Sequence, residues 1–172
     1  MEEYDRIINE MKEKGVADDK ITKDLRAEIK KRYLAGELTK NETEKLLKKY
    51  VGKEDKELYV DLKNWEYKKN HPEAESVGVY STFYDAIDHA KETGNIDDRD
   101  AIRAEIEELV DSGYYEKSDI AARVTGKYKQ EYLSVTNGTE RAAMKNLLIS
   151  VFMMCGVSNE EALKRINSWE EE

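Results

Sequence analysis

Apolar side chains recur every three to four residues along most of the chain. Tyr4, Ile7, Ile8 and Met11 form the first stripe, and Ile21, Leu25, Ile29 and Tyr33 the second. Leu58, Leu62 and Trp65 continue the pattern, as do Ile102, Ile106, Leu109 and Val110, and the last stripe is Ala162, Leu163, Ile166 and Trp169. That period is the signature of amphipathic α-helices. Strands need strict alternation, and the only stretch approaching it, Val77-Gly78-Val79-Tyr80, is too brief. The pattern predicts helices near 2–15, 20–35, 40–50, 54–69, 82–93, 98–112, 118–134, 139–155 and 159–169. The expected fold class is therefore all-α, with about nine helices.

End signals agree with the stripes. Thr39 with Glu42, and Ser158 with Glu161, have the spacing of a capping box, in which a hydroxyl accepts from a free amide and a carboxylate reaches back. Asp97, Asp98 and Asp100 stand where the positive end of a helix favours acids. Gly36, Gly52, Gly113 and Gly156 follow periodic segments and suit left-handed helix ends. Asn137-Gly138 marks a turn. The segment 139–155 has almost no polar face, so it is expected to be a central, buried helix. The chain's single proline, Pro72, lies in a break with two serines and a glycine. It divides the chain into an N-terminal helical unit, 1–70, a linker, 71–81, and a C-terminal helical unit, 82–172.

The two units share local patterns. Leu25-Arg26-Ala27-Glu28-Ile29 matches Ile102-Arg103-Ala104-Glu105-Ile106 at an offset of 77, which also pairs Gly36 with Gly113 and Lys40 with Lys117. Gly52 to Trp65 and Gly156 to Trp169 each span thirteen steps. An offset of 104 pairs Leu62 with Ile166, Trp65 with Trp169 and Glu66 with Glu170. The extra 27 residues equal about one helix and a turn. The expectation is an internal duplication in which the second copy carries one inserted helix, each unit covering the apolar stripe of its neighbour.

The stretch Ile102–Tyr132, IRAEIEELVDSGYYEKSDIAARVTGKYKQEY, followed by a Thr-Glu-Arg helix, Gly156 and a terminal helix ending in Trp169, resembles a recurrent helical module. Its family is the large structural or polyvalent proteins of phages and prophages of gut bacteria. The segment DLRAEIKKRYLAGELTKNETEKLLKKY resembles a companion module of the same kind. The resemblance implies a helical phage or mobile-element protein, in the host cytoplasm or associated with a virion. No catalytic motif comes with it.

Composition sharpens the picture. Of 172 residues, 39% are hydrophobic and 39% charged. That charged share is well above the usual quarter. Mean hydropathy is -0.86, which excludes an integral membrane protein. One cysteine, Cys155, leaves no partner for an intramolecular disulfide and fits a reducing compartment. The acidic, amphipathic first fifteen residues do not read as a signal peptide. The net charge of -9 is unevenly placed. Residues 1–70 hold 18 basic and 17 acidic side chains, whereas 71–172 hold 11 and 21. Asp85–Asp111 alone carries ten acids and three bases. Such a band repels phosphate backbones and attracts basic surfaces.

Motifs for phosphate, dinucleotide, acyl-transfer or zinc chemistry do not occur. His71 and His89 have no companions at metal spacing. Asn95–Asp100 fails as a calcium loop because Arg99 occupies a ligand position and the central glycine is missing. Carboxylate pairs such as Glu105/Glu108 are expected to be solvated, and Cys155 to be a core thiol. Neither a cofactor nor an enzymatic activity is expected.

The candidate partner-binding residues are therefore the acids Asp97, Asp98, Asp100, Glu107, Glu108 and Asp111. Tyr114 and Tyr115 join them as an aromatic pair in a turn, since 11 tyrosines against two phenylalanines point to core edges and contact surfaces. The first expectation is a structural or adaptor protein acting on a protein partner or on itself. A second is an acidic inhibitor of a host defence nuclease, mimicking nucleic acid on a basic protein. A third is a helix–turn–helix DNA binder. Ser118–Leu133 would turn at Thr125-Gly126 and present Lys117, Arg123, Lys127 and Lys129. Residues 40–65 offer a second helix–Gly–helix rich in lysine.

Overall fold

The computed structural model describes residues 2–171, with the side chain of Glu2 left aside. Among them the secondary structure is helical, without strands. The elements are α1 (Glu2–Glu13), α2 (Asp18–Leu34), α3 (Lys40–Leu46), α4 (Asp55–Asn70), α5 (Ser81–Thr93), α6 (Arg99–Asp111), α7 (Lys117–Ser134), α8 (Gly138–Met154) and α9 (Asn159–Glu171). A π-helical turn, Leu47–Val51, prolongs α3, and a 3₁₀ turn, Ile96–Asp98, precedes α6. The all-α class is thus as the periodicity requires. The chain divides into two compact units between Ser81 and Thr82.

In the first unit α2 is the hub, packing against α1, α3, the π turn and α4. Its apolar stripe, Ile21, Leu25, Ile29 and Tyr33, is buried against Leu46, Leu47, Leu58, Leu62 and Trp65. Arg26 braces the same contact. Its guanidinium donates to both oxygens of Asp61, at 3.2 and 2.9 Å, and lies 5.1 Å over the Trp65 ring. The predicted capping box at Thr39 is present in both directions. The segment after α4 is fastened to it rather than loose. The Lys68 ammonium donates to the carbonyls of Pro72 and Ala74, at 2.7 and 2.8 Å, and the His71 ring stacks on Tyr67.

In the second unit α8 packs against α6, α7 and α9. It buries Met144, Leu147, Leu148, Val151 and Phe152. Ile102, Ile106 and Leu109 come from α6, Ile120, Val124, Tyr128 and Tyr132 from α7, and Ala162, Ile166 and Trp169 from α9. The Phe152 and Tyr132 rings each meet Trp169 with centroids 6.1 Å apart. α5 joins through Tyr128, whose hydroxyl donates to the Tyr84 carbonyl and the Asp88 carboxylate at 3.1 and 3.0 Å.

Two expectations need correction. The first is the turn at Thr125-Gly126. α7 runs unbroken through it, because Val124 and Tyr128 are fully buried on either side and hold one continuous stripe in the core. Gly126 keeps a negative φ, with open space where a Cβ would stand. A helix–turn–helix is therefore not formed in 118–133. The expected break at Asn137-Gly138 does fall between α7 and α8, where the Asn137 side chain caps α8 by accepting from the amides of Thr139 and Glu140. The second correction concerns α8, which is not enclosed on all sides. Ala142, Ala143, Asn146 and Met153 are exposed, with Ile149, Ser150 and Met154 half-buried. Its principal neighbours are α6, α7 and α9, and one face is left over.

The four glycines named as left-handed ends all have positive φ: 82° at Gly36, 66° at Gly52, and 83° at both Gly113 and Gly156. Trp65 and Trp169 are both buried.

Candidate functional site

The second unit carries both the concentrated charge and the uncovered apolar surface. Asp100, Glu107 and Asp111 follow one another at i, i+7 and i+11 on α6, opposite its buried Ile102, Ile106 and Leu109. At 100° per residue these three acids form one outward stripe, and all three are exposed. Glu108 is exposed on the adjoining flank, and Asp97 is exposed on the 3₁₀ turn. Asp100 accepts from Arg103 at 3.1 Å, a surface pair of small energetic weight. Asp98 is different. The 3₁₀ turn folds it back toward α5, where it accepts from the Thr93 hydroxyl and faces the His89 ring at 3.8 Å. It builds the corner and is less available to a partner than its neighbours.

Tyr114 and Tyr115 are half-buried in the connection between α6 and α7. They are set among the residues of that connection rather than displayed on a loop tip. The Ser112 hydroxyl helps fix this corner, donating to the Leu109 carbonyl at 2.5 Å and accepting from the Tyr114 amide at 3.2 Å.

The four bases named for nucleic acid are dispersed on α7. Arg123 and Lys127 share one flank at i, i+4, where the Lys127 ammonium lies 5.4 Å over the Tyr84 ring. Lys129 falls on the other flank of the buried stripe. Lys117 lies at the helix start, its stem beside Gly156. Two lysines of the other stretch are matched by carboxylates: Lys48 with Glu44 at 3.1 Å, and Lys53 with Glu57 at 3.5 Å and Asp61 at 3.9 Å. No single face collects these bases.

A feature that periodicity missed lies beside the acidic stripe. Two recesses share Ile96 and Arg99. One, of about 490 Å³, is bounded further by Asp100, Arg103, Ser150 and Met153. The other, of about 600 Å³, is bounded by Val135, Ala143, Asn146 and Leu147 together with the charged Lys91, Glu92 and Glu140. Together they follow the side of α8 that faces the corner between α5 and α6. Ile96 is 72% exposed and Met153 47% exposed, the two most exposed large apolar side chains among the described residues. The Arg99 guanidinium donates to the Ser150 hydroxyl at 2.6 Å and ties the corner to α8. Beyond Lys145 the rest of α8 carries no charged side chain. In a chain that is 39% charged, such a face calls for a reason.

The titratable groups elsewhere serve structure. Burial raises the Asp88 carboxyl above its ordinary range, and the hydrogen bond from Tyr128 offsets part of this. Burial likewise raises the Tyr128 phenol. The Glu170 carboxyl is held low, first by the hydrogen bond from Tyr132 and then by Lys145 and Arg141. Burial pushes the Cys155 thiol up to about 11, against a smaller opposing effect of Lys117. A thiol so placed is a poor nucleophile. No group of three or more acids, histidines or cysteines among the described residues is arranged to hold a metal ion, and no described helix is long and apolar enough to cross a membrane.

The arrangement defines a class in chemical terms: an all-helical protein whose accessible distinguishing surface is an uncharged helix face beside an acidic one. No protein-family model, curated protein or solved structure matches the chain.

Proposed function

We propose that this chain is a non-enzymatic helical interaction protein of a phage or mobile element, and that its second unit binds a basic protein partner. One observation carries the binding role: the uncharged face of α8 lies open next to the acidic stripe of α6. Folding buries most of the other apolar stripes, with Leu163 left exposed on α9, and it leaves this face uncovered. The second unit, 82–172, has 11 basic and 19 acidic residues, so its field draws cationic surfaces from a distance. The origin in a phage or mobile element rests on the resemblance of the two helical modules.

The test uses tagged protein in host lysate, at low and at high salt. The expected result is a discrete basic protein, retained by the wild type and lost with the triple variant Asp100→Asn, Glu107→Gln, Asp111→Asn. Retention that does not differ between the two proteins sinks the reading. A second reading, an acidic inhibitor of a defence nuclease, is favoured by the net charge of Asp85–Asp111. It requires the retained protein to be a nuclease whose binding of DNA or RNA is competed by this chain, with competition fading as salt rises. A retained basic protein with no affinity for nucleic acid removes that reading and keeps the first.

A further inference from the structure

The first unit seats one of its helices through a small set of contacts gathered at one clasp. We propose that α1 exchanges between two copies of the chain, each copy's α1 seating on the α2 of the other, so that the surface under α1 is an interface between copies. The seat itself comes first. α2 is the helix that α1 packs closely against. On the apolar stripe of α1, Tyr4 is buried, whereas Ile7, Ile8 and Met11 are only partly buried. A helix held in this way opens at less cost than the core behind it.

The clasp names the occupant. Arg32 of α2 donates to both oxygens of Glu3, at 3.2 and 2.8 Å, and to the Tyr4 hydroxyl at 3.3 Å. Its guanidinium lies 5.2 Å over the Tyr4 ring, and that ring leans on Tyr50 with centroids 5.6 Å apart. A second copy brings an α1 that remakes every one of these contacts, which is why exchange of an identical element is a low-cost route to a dimer. The hinge permits it. Residues 14–17 join α1 to α2, and Gly15 reverses the chain with a φ of 77°. There the Gly15 amide donates to the Lys12 carbonyl and the Val16 amide to the Met11 carbonyl, both at 3.0 Å. In one continuous helix the same amides meet the carbonyls of Met11 and Lys12, four residues back, so straightening the hinge sacrifices no hydrogen bond. No proline stands in the way, since the chain's single proline is Pro72. Short hinges of this kind invite exchange. Charge does not bar it, because residues 1–70 hold 18 basic and 17 acidic side chains, and the excess acid of 71–172 is screened by salt.

The test reverses the clasp. Glu3→Arg and Arg32→Glu are made in separate full-length chains. Alone, each sets like charges against one another under α1. Mixed, the α1 of each chain finds its complement on the other. Molar mass is read by light scattering at about 0.15 M salt. The expected result is a dimer in the mixture, with about twice the 20.0 kDa mass of the chain, and monomers of either variant alone. The chain carrying both substitutions restores the clasp within one copy and is expected to behave as the wild type. Gly15→Ala disfavours the reversed hinge and favours the straight one. It is expected to dimerise at concentrations about tenfold or more below those the wild type needs. A mixture that stays monomeric, while both variants keep their far-ultraviolet circular dichroism, overturns the proposal. If either variant loses that signal, Gly15→Ala decides alone, and association no tighter than that of the wild type sinks the idea. Dimer formed to the same extent by a single variant shows that another surface joins the copies, and it counts against exchange equally. If a fluorescent peptide of residues 3–14 binds the Glu3→Arg chain while the mixture stays monomeric, the occupant is another protein's helix and the proposal fails as well.

Discussion

Single side chains in this protein do work that the charge count conceals. Asp88 and Glu170 are both carboxylates beside a tyrosine hydroxyl, yet they respond to pH in opposite senses. Burial raises Asp88, so the folded state prefers its protonated form and ionisation at neutral pH opposes folding. Asp88→Asn is expected to gain stability over the wild type at pH 7. The gain vanishes as the pH falls below the ordinary aspartate value of about 3.9, which paired denaturant titrations across that range will show. Glu170 is held low by Tyr132. Its contribution is present above the ordinary glutamate value and is lost as pH falls through the lowered one. Glu170→Gln is therefore expected to be less stable than the wild type at pH 7 and indistinguishable from it in strong acid. Cys155, buried and raised to about 11, is expected to resist a thiol reagent at pH 8 until the chain is unfolded. None of these behaviours was legible in the sequence beyond the core placement of Cys155. Burial and long-range partners decide them, as with Tyr132 and Glu170, 38 positions apart.

Elements were far easier to read, and the exceptions are physical. The stripes and capping residues locate the helices closely because each helix faces a core on one side and solvent on the other. The π turn after α3 left no trace in the pattern, since it inserts one residue per turn without interrupting the apolar positions Leu46, Leu47 and Val51. Gly126 misled because glycine is a turn residue by propensity, and packing of Val124 and Tyr128 overrode it. Gly126→Ala is expected to raise stability by about 1 kcal/mol, since the site is exposed, roomy and regular helix. Gly113→Ala, forced to a φ of 83°, is expected to lower it. Paired thermal melts separate the two signs. α8 was read as central from its composition, which was half the answer. An apolar residue is as apolar on an open face as on a covered one, and only the count of neighbours distinguishes them. For the same reason the acidic stripe was legible and the groove beside it was not. The groove depends on Ile96, displaced from any stripe by the 3₁₀ turn.

At the scale of the whole molecule, two units each have a core of their own. The left-handed glycines recur at matched places, and Leu25, Ile29, Leu62 and Trp65 are buried as are Ile102, Ile106, Ile166 and Trp169. Each unit, expressed alone, is expected to retain its helical content and melt cooperatively. A fragment 82–172 lacking a cooperative transition counts against that. Trp169→Ala is expected to cost its unit about 3–5 kcal/mol through the void left against Phe152 and Tyr132. The open face of α8 has one further consequence, for the molecule in solution. Like charge is expected to keep copies apart, and the chain approaches neutrality near pH 5.0. Acidifying a concentrated sample toward that point removes the repulsion and leaves Ile96 and Met153 sticky, so turbidity is expected there first and is expected to clear when both are replaced by serine.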